Sequence, residues 1–169
     1  MLFLWGQDFI TLAFMIAQIE KREIREQIMN SCIRQQQLLM DDFSQRIKSL
    51  LASQKQQTKS GLNGSKSLMN LDEIDLLNDA MIFAQLEMNR LRYLRSVNYM
   101  DHREVELGAI VITDVNTIFV SSSVEPFWFN GENIICISTE SALFNQMKGK
   151  RTGELFFHNQ NTYIIREIL

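Results

Sequence analysis

The chain has 169 residues, room for one ordinary domain or two small ones, and its 46% hydrophobic and 22% charged content is that of a folded protein. Its formal charge of −3 excludes a generic DNA-coating role, which needs a basic face. Residues 1–100 carry 12 basic and 11 acidic side chains, and residues 101–169 carry 5 and 9, so neither half is a nucleic-acid magnet.

The first 17 residues, MLFLWGQDFITLAFMIA, are apolar, but no positive charge precedes them and Gln7 and Asp8 interrupt them. Neither a cleavable signal nor a membrane span is expected on those grounds, since a span needs ~20 uninterrupted apolar residues. Two readings stay open for residues 1–22: a helical extension that packs on the body of the protein, or translation that begins at Met15.

Residues 23–98 read as a coiled-coil hairpin. Apolar residues fall at Met29, Ile33, Met40, Phe43, Ile47 and Leu50, with Gln36 in the one missing position; this is a coiled-coil seam. A second seam runs through Ile74, Leu77, Met81, Ala84, Met88 and Leu91. One proline and seven glycines in the whole chain suit such long helices. Two seams joined by one polar loop describe an antiparallel pair of helices, with arms of about 28 residues or ~40 Å. The hairpin tip is expected at 53–69, where SQKQQTKSGLNGSKS carries Lys55, Lys59 and Lys66 and no carboxylate. Asn70 and Glu73 read as a capping box for the second arm, and Asp72, Glu73 and Asp75 suit the positive end of its dipole.

After Asn98 the apolar period drops to two. Strands are expected at 104–112, 117–122, 126–129, 133–137, 155–158 and 162–168, with Asn130-Gly131 the best turn signal and one helix at 141–147. Together with the hairpin, this predicts an α+β protein whose residues 99–169 form a small antiparallel sheet with one short helix. Cys32 and Cys136 are too few and too far apart in sequence for a disulfide framework, so both read as buried thiols. They and the lone His102 and His158 have no metal-ligand spacing; no metal and no cofactor are expected.

Within that region the run ISTESALFNQMKGKRTGE, residues 137–154, resembles the C-terminal domain of the transcript-cleavage factors GreA and GreB, position for position and without gaps. Val105, Leu107, Gly108, Ala109 and Val111 are similar to the strand that leads into that domain. The resemblance covers about the last 65 residues; the hairpin matches in architecture only. It departs from the family at Ala142, where proline is usual after the serine, and at Glu154, where aspartate is usual.

The resemblance implies an FKBP-like fold for the sheet and a cytoplasmic, monomeric, non-enzymatic transcription elongation factor. Its partner would be RNA polymerase, bound at the rim of the secondary channel, with indirect contact to nascent RNA or DNA and none to a membrane. Ser138, Ser141, Ala142 and Phe144 become docking candidates, although a serine here also serves simply as a helix cap. Gly149 and Gly153 read as structural turns. Family members that stimulate cleavage carry two acids on the tip to hold a second magnesium ion. A hard divalent ion requires oxygen ligands, and a protonated lysine has no lone pair to give. The nearest acids are Asp72, Glu73 and Asp75, of which Asp72 and Asp75 share a face. The lysine-bearing tip therefore predicts modulation of cleavage rather than efficient stimulation. Two alternatives remain from other classes: a coiled-coil adaptor or self-associating protein, suggested by the Gln-rich first arm, and a peptidyl-prolyl isomerase using Phe127, Trp128, Phe129, Phe156, Phe157 and Tyr163.

Overall fold

A computed structural model describes residues 4–59, 65–98 and 100–169, with side chains described over 15–56, 70–98 and 100–169. It is an α+β protein in which a pair of long helices precedes a six-stranded sheet.

Helix α1 (Leu4–Lys59) has 56 residues, ~84 Å at 1.5 Å per residue, and runs unbroken through residue 22. Helix α2 (Ser65–Ser96) has 32 residues. They run antiparallel: Gln36 meets Ala84, while Met29 and Cys32 share a core with Leu91 and Leu94. The seam read from the sequence is the line of contact. Met29, Gln36, Ile74, Leu77, Ala84, Met88 and Leu91 are buried, and Ile33, Met40, Phe43, Ile47, Leu50 and Met81 are half-buried. At the one polar position, Gln36 Nε2 donates to the Ala84 carbonyl at 2.9 Å. That bond marks the register of the two arms, the role a single polar residue plays in a coiled-coil seam.

Two expectations about the hairpin are corrected. The loop is shorter than 53–69, because α1 continues to Lys59 and α2 already begins at Ser65. Asn70 therefore lies inside α2 and caps nothing. The lysines and serines that read as loop have ordinary helix propensity, so α1 continues through Lys59 and α2 is formed from Ser65.

The strands are β1 (Ile110–Thr113), β2 (Thr117–Val120), β3 (Phe127–Phe129), β4 (Glu132–Ile137), β5 (Leu155–His158) and β6 (Asn161–Ile168), with α3 (Ala142–Met147) between β4 and β5. Their order across the sheet is β3-β4-β2-β1-β6-β5. The expected antiparallel sheet is in fact mixed, because β2 and β4 pair in parallel, with Ile118 opposite Ile135 and Val120 opposite Ile137. Alternation of side chains is blind to strand direction; the direction is set here by β3. It forms the outer strand of a hairpin with β4, Phe127 opposite Ile134, so the chain returns beside β2 in the same sense. The first strand also starts at Ile110 rather than at 104. Val105 instead exchanges backbone hydrogen bonds with Gly149 and Lys150, each 2.8 Å.

Each face of the sheet has its own core. On one, Ile28, Met29 and Cys32 of α1 and Leu91 and Leu94 of α2 pack against Ile110, Phe119, Val124, Phe127, Ile134, Cys136 and Leu169. On the other, Phe144 and Met147 of α3 pack against Val111, Ile118, Val120, Phe156 and Ile165. The base of the hairpin is thus half of the sheet's own core, and α1 leaves that core after Ile33. The 26 residues from there to Lys59 span ~39 Å.

Candidate functional site

Residues with functional promise fall in two places, the outer end of the hairpin and the α3 corner of the sheet. At the outer end, Lys55 is exposed on the last turns of α1, while the side chains of Lys59 and Lys66 lie outside the described residues. Asp72, Glu73 and Asp75 are exposed on α2. Because α2 begins at Ser65, no acid lies in its first turn, and Asp72 sits ~10 Å along the helix. The macrodipole fades within the first turn, so these carboxylates neither cap the helix nor compensate its dipole as expected. They form a solvated acidic patch set back from the lysine-bearing end.

At the α3 corner, Ser141 adopts extended φ −69, ψ 147 and its hydroxyl accepts from the Phe144 N–H at 3.1 Å. It is the N-cap of α3. Three residues earlier, the Ser138 hydroxyl accepts from the Glu140 N–H at 3.2 Å and shapes the approach to the helix. Ala142 is exposed beside them. Phe144 is a correction: it is buried with Met147 beneath α3, so it supports the corner from below and offers no surface.

The glycines close the corner. The Lys148 N–H donates to the Phe144 carbonyl and ends α3; Gly149 follows at φ +72 and Gly153 at φ +90. A Cβ at either would meet nothing within 4 Å, so the demand is backbone conformation alone. Gly149 N–H donates to Val105 and Gly153 N–H to Ile165, both at 2.8 Å. These two bonds lash the run after α3 to the segment before β1 and to β6. The Glu154 carboxylate, where the resemblance leads one to expect aspartate, accepts from the Arg151 N–H at 2.6 Å and closes the turn between the glycines.

Sequence reading missed three contacts that root the hairpin. Arg25 is buried; its guanidinium donates to the Met100 carbonyl at 2.6 Å and to the Asn98 carbonyl at 2.8 Å. Burial lowers its pKa, Asp101 at 3.8 Å opposes that, and Arg22 adds to it. Glu87 is buried on α2, where its carboxylate accepts from the Ser123 N–H at 2.9 Å and its carbonyl accepts from the Ser122 hydroxyl at 3.2 Å. Cys32 of α1 and Cys136 of β4 are both buried free thiols with sulfurs 3.2 Å apart. The hydrogen bond to Cys136, then burial, hold the Cys32 thiol far above the ordinary cysteine range. No spacing rule links residues this far apart. Arg25 and Glu87 also lie beside the seams rather than in them, so the apolar period did not mark them.

The described aromatic side chains do not gather around one cavity. Phe127 is in one core, Phe156 stacks on Tyr163 at 4.8 Å in the other, and Trp128 and Phe157 are exposed. Phe129 alone lines a groove of about 340 Å³ between α1 and the sheet, with Ile24, Ile112, Glu132 and the Lys21–Glu167 ion pair of 2.6 Å at its edge. Among the described residues no group of three or more His, Cys, Asp or Glu side chains is placed to hold a metal ion, and no helix is long and apolar enough to cross a membrane.

What these elements define is an α+β protein with a long helical arm rooted in a small mixed sheet. No family model, no curated protein and no solved structure matches the chain.

Proposed function

We propose that this chain is an RNA polymerase-binding elongation factor of the GreA/GreB type, acting through the secondary channel and modulating transcript cleavage rather than stimulating it efficiently. The observation that carries the reading is the arm. A two-helix rod extends ~39 Å beyond its last residue in the sheet's core, and its described outer end bears Lys55 while the nearest α2 acids stand ~10 Å back from the helix start. Such a rod suits insertion into a narrow channel, and its cationic end would repel a magnesium ion rather than recruit one.

The finer fold belongs to the same proposal. We assign the sheet and its one short helix to an FKBP-like domain on the resemblance of residues 137–154, from which the parallel β2–β4 pair departs, and we assign the corner of Ser138, Ser141 and Ala142 to polymerase docking. The division of the aromatics between two cores and the solvent favours this reading over a prolyl isomerase.

The test is a transcript-cleavage assay on a stalled, backtracked elongation complex, with and without a competing authentic cleavage factor. Suppression of the competitor with no cleavage of its own is the expected result. Efficient cleavage by the protein alone would overturn the modulator reading, and no effect of either kind would remove polymerase from the account.

A further inference from the structure

Helix α2 carries a second seam. Two positions beyond each residue of the buried seam stand Leu76, Asp79, Phe83, Leu86, Arg90 and Tyr93, repeating at the three-four spacing of a coiled coil. This line faces away from α1. Its four apolar members, and Ile82 beside it, are each between 56% and 70% exposed. An exposed stripe of this kind, four apolar residues with one acid and one base at coiled-coil spacing, marks an interaction surface.

The order of residues along the stripe identifies the partner. Read from either end, it pairs apolar with apolar and acid with base: Leu76 with Tyr93, Asp79 with Arg90, and Phe83 with Leu86. We infer that two copies of this chain associate through the outer face of α2, antiparallel about a twofold axis between Ala84 and Gln85. Each layer then joins one residue of a copy to its complement in the other, as an isologous interface demands. Parallel pairing would set Asp79 against Asp79 and Arg90 against Arg90. The antiparallel register forms two Asp79–Arg90 pairs instead, pairs that a shift of register would break.

The side chains are free for this. Asp79 is exposed and makes no ion pair among the described residues, and Arg90 reaches only Glu87, loosely, at 3.8 Å. Glu87 is meanwhile held by the Ser123 N–H. From 76 to 93 the stripe is ~26 Å long. Covering it would bury on the order of 600 Å² per copy, or ~1,200 Å² in all, at the lower end of specific interfaces. That size is below the range of obligate dimers, so association is to be sought at about 1–100 µM, where area alone does not set the affinity. The inference rests on α2 alone; because the stripe lies on the arm itself, the paired state and a channel-inserted state exclude one another.

Sedimentation velocity on the full chain across that range tests it. Wild type should pass from monomer to dimer. D79R sets a base against a base in both charged layers, and R90D sets an acid against an acid, so each variant alone should dimerise at least about tenfold more weakly. An equimolar mixture of the two should recover a heterodimer near wild-type affinity, because only the mixed pair is complementary in both layers. Helix content by circular dichroism shows that each variant is folded, and F83E should abolish association in any background. A wild type that is monomeric throughout overturns the inference. So does association indifferent to D79R and F83E, which would place the contact elsewhere, or loss in the single variants with no recovery on mixing, which would mean that the partner of this face is not a second α2.

Discussion

Arg25 is the residue whose replacement should most directly detach the helical arm from its root. Arg25 is 3% exposed, and its guanidinium donates two hydrogen bonds, to the carbonyls of Asn98 and Met100. One side chain of α1 thereby grips the segment that follows α2, and both arms are held at a common base. Hydrogen bonds from a charged donor contribute roughly 1.5–3 kcal/mol each. Desolvation of the cation offsets part of that, and its buried, unpartnered Nε adds to the cost. For Arg25→Met, which keeps the stem and removes the fork, we expect a net loss of about 2–3 kcal/mol. In a chain of this length that lowers Tm by roughly 5–10 °C. Arg25→Lys should lose about half as much, because an ammonium is a point charge that does not reproduce a planar fork onto two carbonyls. Thermal and urea unfolding followed at 222 nm give the magnitude. Hydrogen exchange at residues 97–101 gives the location, since amides there should lose protection before those of β1 or β6. Stability of Arg25→Met within about 0.5 kcal/mol of wild type would refute the idea that this fork anchors the arm, as would Arg25→Lys indistinguishable from wild type.

At Gln36 the opposite sign is expected: its Oε1 is buried without a partner, so Gln36→Leu should stabilise the hairpin by about 1 kcal/mol in urea titration, and a loss of stability would show the single bond to Ala84 to outweigh the orphaned oxygen. The Cys32 thiol, its pKa raised by Cys136 and by burial, stays protonated in the folded chain while an unfolded cysteine ionises near ~8.5. Its contribution is complete below that pH and is lost progressively as pH rises above it toward the folded value, with a slope of up to about 1.4 kcal/mol per pH unit; Cys32→Ser should flatten that limb, and rapid labelling of native Cys32 at pH 8 would contradict its burial. Neutralising the exposed patch as Asp72→Asn, Glu73→Gln and Asp75→Asn should move stability by less than about 0.5 kcal/mol, since none of the three caps α2, and a larger loss by thermal melt would restore a structural role to them.

The parts of this protein that repeat were legible in its sequence, and the parts that join were not. Both seams of the hairpin follow from a period of three and a half, down to Gln36 as its single polar member. The strands follow from a period of two, and Ser141 and Gly149 from the chemistry of helix ends. Periodicity carries no information on strand direction, so the parallel β2–β4 pair was missed. Helix ends were misplaced at the tip because lysine and serine tolerate either state, and propensity differences of a few tenths of a kcal/mol do not decide it.

The second stripe of α2 escaped for a different reason, and the reason bears on how such surfaces are found. A search for apolar periodicity treats Asp79 and Arg90 as interruptions, so Leu76, Phe83, Leu86 and Tyr93 read as scattered exposed residues of no account. Once α1 is seen to occupy the opposite face, the two charges become the informative members of the stripe. Apolar side chains pair with almost any apolar neighbour in almost any register, whereas one acid and one base placed symmetrically about a midpoint accept a second copy in a single orientation. The same logic holds inside the hairpin, where Gln36 contributes less to stability than a leucine would and yet marks which residues of α1 and α2 meet. In this chain the polar residues within apolar seams are the ones that specify partners, and stability is left to the residues around them.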